Sequence, residues 1–415
     1  MPLKIAHAIL LILALVFAAV GLRAAYEKRK DRPPIILYSI HSWLGILAFI
    51  GFGLQWVIGF VFFLIPQTPI PLRSIYLPFH TIFGPIIYGL IILVCLTGIT
   101  EVQLFFGNYQ NLHDHAMIGN FLGLFIVLFG ALVFFLVTYS PFRRVEVPPT
   151  KTALENGLGP VPKARNVPES TGAVPRSRQC SEPTAMFEKA EKELFWAGVF
   201  LSQVFGLLCV ILAGVRGEVY NNGFDWNDSR KVINFHILFM VLGFVFLYGD
   251  SILIYRIFRD KPKKSLKIAH AVLLLLSLLF AAIGVRAAYE RRKNAPPMTL
   301  YSIHSWLGVI VFVAFSLQWI FGLAFFLIPQ TPMKPRSRYL PFHTGFGLFL
   351  HCLVVLVCLC GITTINVSPR DYSELPPRAL FTNFLGLVIV GFGALVFFLV
   401  NYAGYRRIEV VVERD

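Results

Sequence analysis

Charge is scarce in this chain. Asp, Glu, Lys and Arg make up only 14% of its 415 residues, where a soluble domain carries about a quarter. A water-soluble globule is therefore a poor reading. Cysteine is sparse as well, with six residues at Cys95, Cys180, Cys209, Cys352, Cys358 and Cys360. They form no paired framework and no zinc spacing, and all but Cys180 fall in apolar stretches, so packing is their expected role. Alternating ten-residue strand patterns are missing, which excludes a membrane barrel. Acids number 22 against 37 basic residues, for a net charge of +15. Nucleic acid is not the expected partner, because Lys and Arg sit in short loops between apolar blocks. There they anchor lipid headgroups or draw an anionic solute.

What the chain has in abundance is apolar length. Hydrophobic residues reach 56%, with 40 Phe. They gather into ten blocks near residues 3–26, 38–65, 75–100, 116–140, 193–215, 232–256, 267–289, 301–328, 339–363 and 379–402. Each is long enough for the ~20 residues that cross a bilayer as a helix. The expected fold class is all-α, a polytopic membrane helix bundle of ten transmembrane helices in a four-plus-six arrangement. The first block has no small-residue cleavage site and reads as a retained span, not a signal peptide.

The chain also repeats itself. KIAHAILLILALVFAAVGLRAAYEKRK from Lys4 returns as KIAHAVLLLLSLLFAAIGVRAAYERRK from Lys267, and LYSIHSWLG occurs at both Leu37 and Leu300. QWVIGFVFFLIPQTP at Gln55 and NFLGLFIVLFGALVFFLV at Asn120 recur at the same offset of 263 residues. A fixed offset means two copies of one unit. The expected domains are a partial copy over 1–140 with four spans, a flexible linker over 141–190, a complete copy of six spans over 191–407, and a tail over 408–415. Pro, Gly, Ser and charged residues crowd the linker, a composition that cannot bury a core. Lys and Arg slightly favour the face holding YRIFRDKPKKSLK and the linker, so that face is expected to be cytosolic.

Histidines recur with the repeat. In the complete copy His236, His270, His304 and His343 each open one of four successive spans. Successive spans run in opposite directions, so His236 and His304 lie near one membrane face and His270 and His343 near the other. Helix rise separates the two levels by on the order of 20 Å. Imidazoles inside spans are costly and tend to be functional. Zinc or copper would want a third or fourth ligand, and no thiolate or carboxylate recurs beside these residues. A haem brings four equatorial nitrogens of its own, so two facing imidazoles suffice. With both axial positions filled, such a haem carries single electrons.

At this point NFHILFMVLGF, SILIYRIFR, KSLKIAH, LYSIHSWLG and RSRYLPFH, in that order, resemble the cytochrome b561 family of six-span, dihaem, ascorbate-dependent transmembrane reductases. The resemblance covers roughly 193–407 fully and 1–146 in part. It implies haem b as cofactor, two in the complete copy and one in the partial copy. Its ligand pairing places His236 with His304 on the outer side and His270 with His343 on the cytosolic side. Arg256, Lys263, Lys267, Arg336 and Arg406 cluster at the inner face, where haem propionates and ascorbate need cations. The resemblance implies that Lys263, Lys267 and Arg336 meet the inner haem or ascorbate, and that Thr299, Leu300, Tyr301 and Ser302 meet the outer haem. Expected partners are the bilayer, ascorbate and, on the far side, monodehydroascorbate or chelated ferric iron. Assembly as a homodimer is left open. The expected location is a secretory-vesicle, endolysosomal or plasma membrane.

The partial copy keeps His7 and His80 with Lys4 and Arg73, so an inner haem is expected there. Its outer histidine, His41, lacks the partner that the second span would carry. His113 or His115, in NLHDHAMIG, is one candidate for the missing ligand, and a solvated loop beside an empty or five-coordinate site is the preferred alternative. Two departures stand out. Thr364 stands where the family often has an acid, while the first copy has Glu101, and Asp250 sits inside a span. The rival readings are a proton-coupled transporter built on these histidines and a purely structural tandem protein.

Overall fold

Lipid offers the backbone no hydrogen-bond partners, so a chain this apolar must close its own amide bonds, and it does so with helices. The computed structural model describes residues 2–30, 37–107, 109–138, 182–293, 300–328, 331–369 and 371–402. Among them are ten helices long and apolar enough to span a membrane. In chain order they are α1 (Pro2–Arg29), α2 (Ile40–Phe63), α3 (Ile70–Phe105), α4 (Asp114–Thr138), α5 (Glu182–Tyr220), α6 (Val232–Ile257), α7 (Lys263–Arg292), α8 (Ile303–Leu327), α9 (Met333–Val367) and α10 (Pro377–Asn401). A π-helical stretch, Val241–Leu247, interrupts α6, and another, Leu323–Leu327, ends α8. The expected four-plus-six helix bundle is present. Most of the expected linker, the tail, Thr299 and Arg406 lie outside the described residues, and α5 already begins at Glu182.

Within the second copy α6 packs on α7, α5 on both α6 and α10, and α8 on α9. The first copy repeats the later part of this pattern, α1 on α2 and α2 on α3. The copies join through α3 against α9, the same helix of the repeat in each. On either side of that seam α10 reaches α2 and α3, while α4 reaches α8 and α9. This is the arrangement of a two-fold dimer, built within one chain. A single apolar core runs across it, with Ile40, Leu44 and Leu96 from one copy and Ile303, Leu307, Leu359 and Phe392 from the other.

At the end of the bundle where α2 and α8 begin, called the outer end after its expected side, the seam is fastened twice. Tyr109 and Asn120 of the first copy bind the start of α8: the Ile303 amide donates to Tyr109 Oη (3.0 Å), and Asn120 Nδ2 donates to the Tyr301 carbonyl (2.9 Å). Tyr372 and Asn383 of the second copy bind the start of α2: the Ile40 amide donates to Tyr372 Oη (2.8 Å), and Asn383 Nδ2 donates to the Tyr38 carbonyl (2.9 Å). In each clasp the phenol in turn donates to its own copy's asparagine, at 2.6 Å and 2.7 Å. The first amides of a helix have no partner within it, so a phenol from the neighbouring copy answers a real deficit. Burial pushes the Tyr372 phenol up to about 12, and it pushes Tyr109 up as well.

Candidate haem sites

The serines around the repeated histidine serve the helix start. Ser302 is the N-cap of α8: its Oγ accepts from the Ser305 amide at 3.2 Å, and Ser305 Oγ accepts from the Ser302 amide at 3.1 Å. Ser39 and Ser42 repeat this reciprocal cap on α2. Such boxes fix where a helix begins, and therefore the depth at which His304 and His41 leave it. Trp306 Nε1 donates to the Leu300 carbonyl at 2.9 Å, holding the preceding turn against the cap.

Two imidazole pairs come together in the second copy. The rings of His236 on α6 and His304 on α8 lie 6.1 Å apart between centroids, at 85°. Those of His270 on α7 and His343 on α9 lie 6.4 Å apart, at 72°. With metal–nitrogen bonds of about 2 Å and about 1 Å from nitrogen to ring centre, opposed imidazoles on one metal stand about 6 Å apart. The spacing suits a shared iron. Backbone carbonyls hold three of the rings by Nδ1: Gly284 for His236 (3.0 Å), Val357 for His304 (2.9 Å) and Ser251 for His270 (2.8 Å). A proton on Nδ1 leaves Nε2 as the free donor, the tautomer a metal needs. His343 is held differently, with Gln318 Nε2 3.0 Å from its Nδ1 and 2.8 Å from its carbonyl. Tyr339 steadies that glutamine by donating to Oε1 at 3.3 Å.

Glycines make room for the rings. A Cβ on Gly361 would stand 2.9 Å from His304 Cε1, and one on Gly322 3.0 Å from His343 Cε1. Both glycines sit in the repeat at positions 263 residues from Gly98 and Gly59, where a Cβ would meet His41 and His80 at 2.8 and 2.9 Å. The levels also separate as expected. His304 meets α9 at Gly361, eighteen residues beyond His343, which helix rise converts to about 27 Å. One expectation needs adjusting: α7 begins at Lys263 and α9 at Met333, so His270 and His343 lie inside their helices and do not open them. At this end α9 extends beyond its apolar block, since Lys334, Arg336 and Arg338 continue the helix without interrupting it.

The first copy forms one pair of this kind. His7 and His80 stand 6.5 Å apart at 79°. They line a cavity of about 430 Å³ with Lys4, Gln55, Phe63 and Arg73, and Gln55 Nε2 lies 3.1 Å from His80 Nδ1 as Gln318 does from His343. His41 occupies the same cradle as His304, its Nδ1 2.9 Å from the Val94 carbonyl. Its ring meets no other imidazole among the described ring contacts. His113 and His115 stack on each other at 6.3 Å, and His115 also meets Phe106.

The expected cations engage backbone at the inner end. Arg256 Nη2 donates to the Val400 carbonyl, Lys267 Nζ to Phe326 (3.4 Å) and Arg336 Nη2 to Ile328 (2.7 Å). Lys263 begins α7. In the first copy Arg73 Nη2 donates to Ile65 and Pro66 (2.9 and 3.0 Å), and Lys4 lies over the Phe63 ring. At the outer end Tyr301 Oη accepts from Arg292 (2.6 Å), and Ser302 is spent on its cap. Its counterpart Tyr38 donates instead to Glu101 (2.7 Å). Asp250 accepts from Gln203 Nε2 at 2.8 Å. Reading the sequence missed His351, fully buried on α9 between the two levels, its Nε2 3.3 Å from the Val245 carbonyl in the π stretch of α6. Tyr88 holds that place in the first copy, so the repeat offered no signal for it.

The profile of eukaryotic cytochrome b561 matches residues 1–106 and 235–368. The transmembrane ascorbate-dependent reductase CYB561 of Sus scrofa is 37% identical over 211 residues, 50% of this chain and 83% of that protein. The lysosomal membrane ascorbate-dependent ferrireductase CYB561A3 is 35% identical over 227 residues in Danio rerio (52% of this chain, 91% of that protein). Its Homo sapiens form is 32% identical over 228 residues (53% and 94%). Each relative accounts for about half of the chain, as a tandem of two units requires.

Proposed function

The chain belongs to the cytochrome b561 family, and from that membership we propose that it moves single electrons from cytosolic ascorbate across the membrane. The acceptor on the far side is monodehydroascorbate or chelated ferric iron, as the names of the reductase and ferrireductase relatives suggest. It is an integral, multi-pass membrane oxidoreductase. The observation that carries the reading is the pair of imidazole pairs, at 6.1 and 6.4 Å, at opposite depths of four neighbouring helices.

The family implies haem b, and the residues fit it: His236 and His304 would hold one group and His270 and His343 another. Held by these residues, haem b would supply reversible one-electron exchange. The chain does the rest. Carbonyls of Gly284, Val357 and Ser251 hold three of the four imidazoles, those of His236, His304 and His270, in the ligand tautomer. Arg256, Lys263, Lys267 and Arg336 at the inner end draw the ascorbate monoanion and answer the propionates. His7 and His80, with Lys4 and Arg73, would hold a third haem. His41, without a facing imidazole, is left out of the count.

The purified protein tests this directly. A reduced-minus-oxidised spectrum should show b-type bands that develop with ascorbate, and haem assay should return three haems per chain. A colourless preparation that binds no added haemin would end the proposal.

A further inference from the structure

Among the described residues the first copy brings no second imidazole to His41, yet it keeps the elements that grip the outer end of the second copy. Three contacts from it converge on the residues just before His304. Asn120 donates to the Tyr301 carbonyl, and Tyr109 accepts from the Ile303 amide. Gly123 of α4 leaves the hollow that the buried Ile303 side chain fills, since a Cβ there would stand 3.1 Å from Ile303 Cδ1. The Tyr109 ring also meets the Tyr301 ring edge-on at 5.4 Å. Within the second copy the same short segment has its own serine cap and the Arg292–Tyr301 contact. Among the described residues the first backbone amide of α8 finds its partner in the other copy, at Tyr109.

We propose that Tyr109 and Asn120 are positioning residues for the outer site of the complete copy, so that the electron's exit is organised by both halves of the chain. Resting on the proposed haem function, this gives the incomplete copy a role at the face where it forms no imidazole pair. The phenol and the amide fix the start of α8 and hence the depth and tilt of the His304 ring, now at 85° to His236. They also fix the Tyr301 ring, over which the Arg292 guanidinium lies at 4.8 Å. Second-layer groups of this kind set ligand orientation and haem potential.

The repeat supplies the control. Tyr109→Phe and Tyr372→Phe remove the same hydrogen bonds from the two clasps, but only the first clasp leads to a histidine with a facing partner. Full-length protein in nanodiscs is titrated potentiometrically, and its ferric haems are followed by low-temperature EPR, which reads the angle between axial imidazole planes. Tyr109→Phe should shift the midpoint and the EPR signal of the outer haem and leave the inner ones in place. Tyr372→Phe should shift none of them, although it lowers thermal stability by a similar amount. Asn120→Ser, which keeps the phenol, should give a smaller shift of the same sign and serves if Tyr109→Phe fails to accumulate. An outer haem unmoved by Tyr109→Phe and Asn120→Ser, or moved equally by Tyr372→Phe, overturns the inference. Absence of b-type bands in the wild type would instead sink the haem reading beneath it.

Discussion

α1 and α7 are nearly the same helix in sequence, and so are α4 and α10, yet their surroundings differ. None of the central stretch of α1 is buried, against 22% for α7, and 17% of α4 is buried against 56% of α10. The difference is α5 and α6, which cover α7 and α10 in the second copy; among the described residues no helix covers α1 and α4 in that way. A Cβ on Gly284 would stand 3.2 Å from Met240 Cε, whereas one on the corresponding Gly21 would meet open space. Identical residues thus take up different work according to what lies beside them. In the complete copy a ring such as His270 is locked by a carbonyl of the covering helix; its twin His7 is not held in that way.

The comparison can be broken most severely at the outer histidines. His304→Ala should remove one haem per chain and abolish reduction of an external acceptor by ascorbate enclosed in proteoliposomes. His41→Ala, at the corresponding place, should leave the haem content unchanged. Equal losses from both would show that the first copy also assembles an outer site.

Packing offers the next test. Phe392 is fully buried, while its twin Phe129 is 62% exposed. Phe392→Ala should cost about 3–5 kcal/mol, the range for an aromatic lost from a core. Phe129→Ala should stay within about 0.5 kcal/mol, as for surface changes, when unfolding is followed in detergent. A milder contrast lies at the inner surface. Lys267→Ala should raise the ascorbate concentration that half-saturates transmembrane transfer by about tenfold, roughly 1.4 kcal/mol of lost attraction. Lys4→Ala should act mainly on reduction of the third haem, resolved in a stopped-flow trace.

The smallest effect concerns alkali. Burial raises the Tyr372 phenol to about 12 from an ordinary 10.0. Because the folded value is the higher one, the stability this clasp contributes is fully present below about pH 10 and falls away as pH climbs toward 12. Ultraviolet titration should show Tyr372 ionising after the exposed tyrosines, and Tyr372→Phe should lower the amplitude of that late phase by one phenol.

Much of this was legible beforehand. Ten apolar blocks gave ten helices, because a backbone in lipid has few options. The alternating direction of successive spans sorted four histidines into two pairs, and distances of 6.1 and 6.4 Å agree with that sorting. The seam between the copies was not legible. Tyr109 and Asn120 look like ordinary loop and helix-start residues, and their partners lie 194 and 181 positions away. His351 escaped notice for a related reason. Its acceptor is a carbonyl in the π stretch of α6, and a local winding of that kind leaves no periodic trace in an all-apolar segment.

The double clasp also governs the order of biogenesis. The amide of Ile40 meets its phenol only when Tyr372, 332 residues further along in the connection after α9, has been made and brought to the same face. The earlier-made half must therefore wait in the membrane with α2 unfinished at its start, while the later half finds Tyr109 and Asn120 already installed. Nascent chains arrested before α9 should consequently remain protease-sensitive around residue 40 and close up only when synthesis resumes.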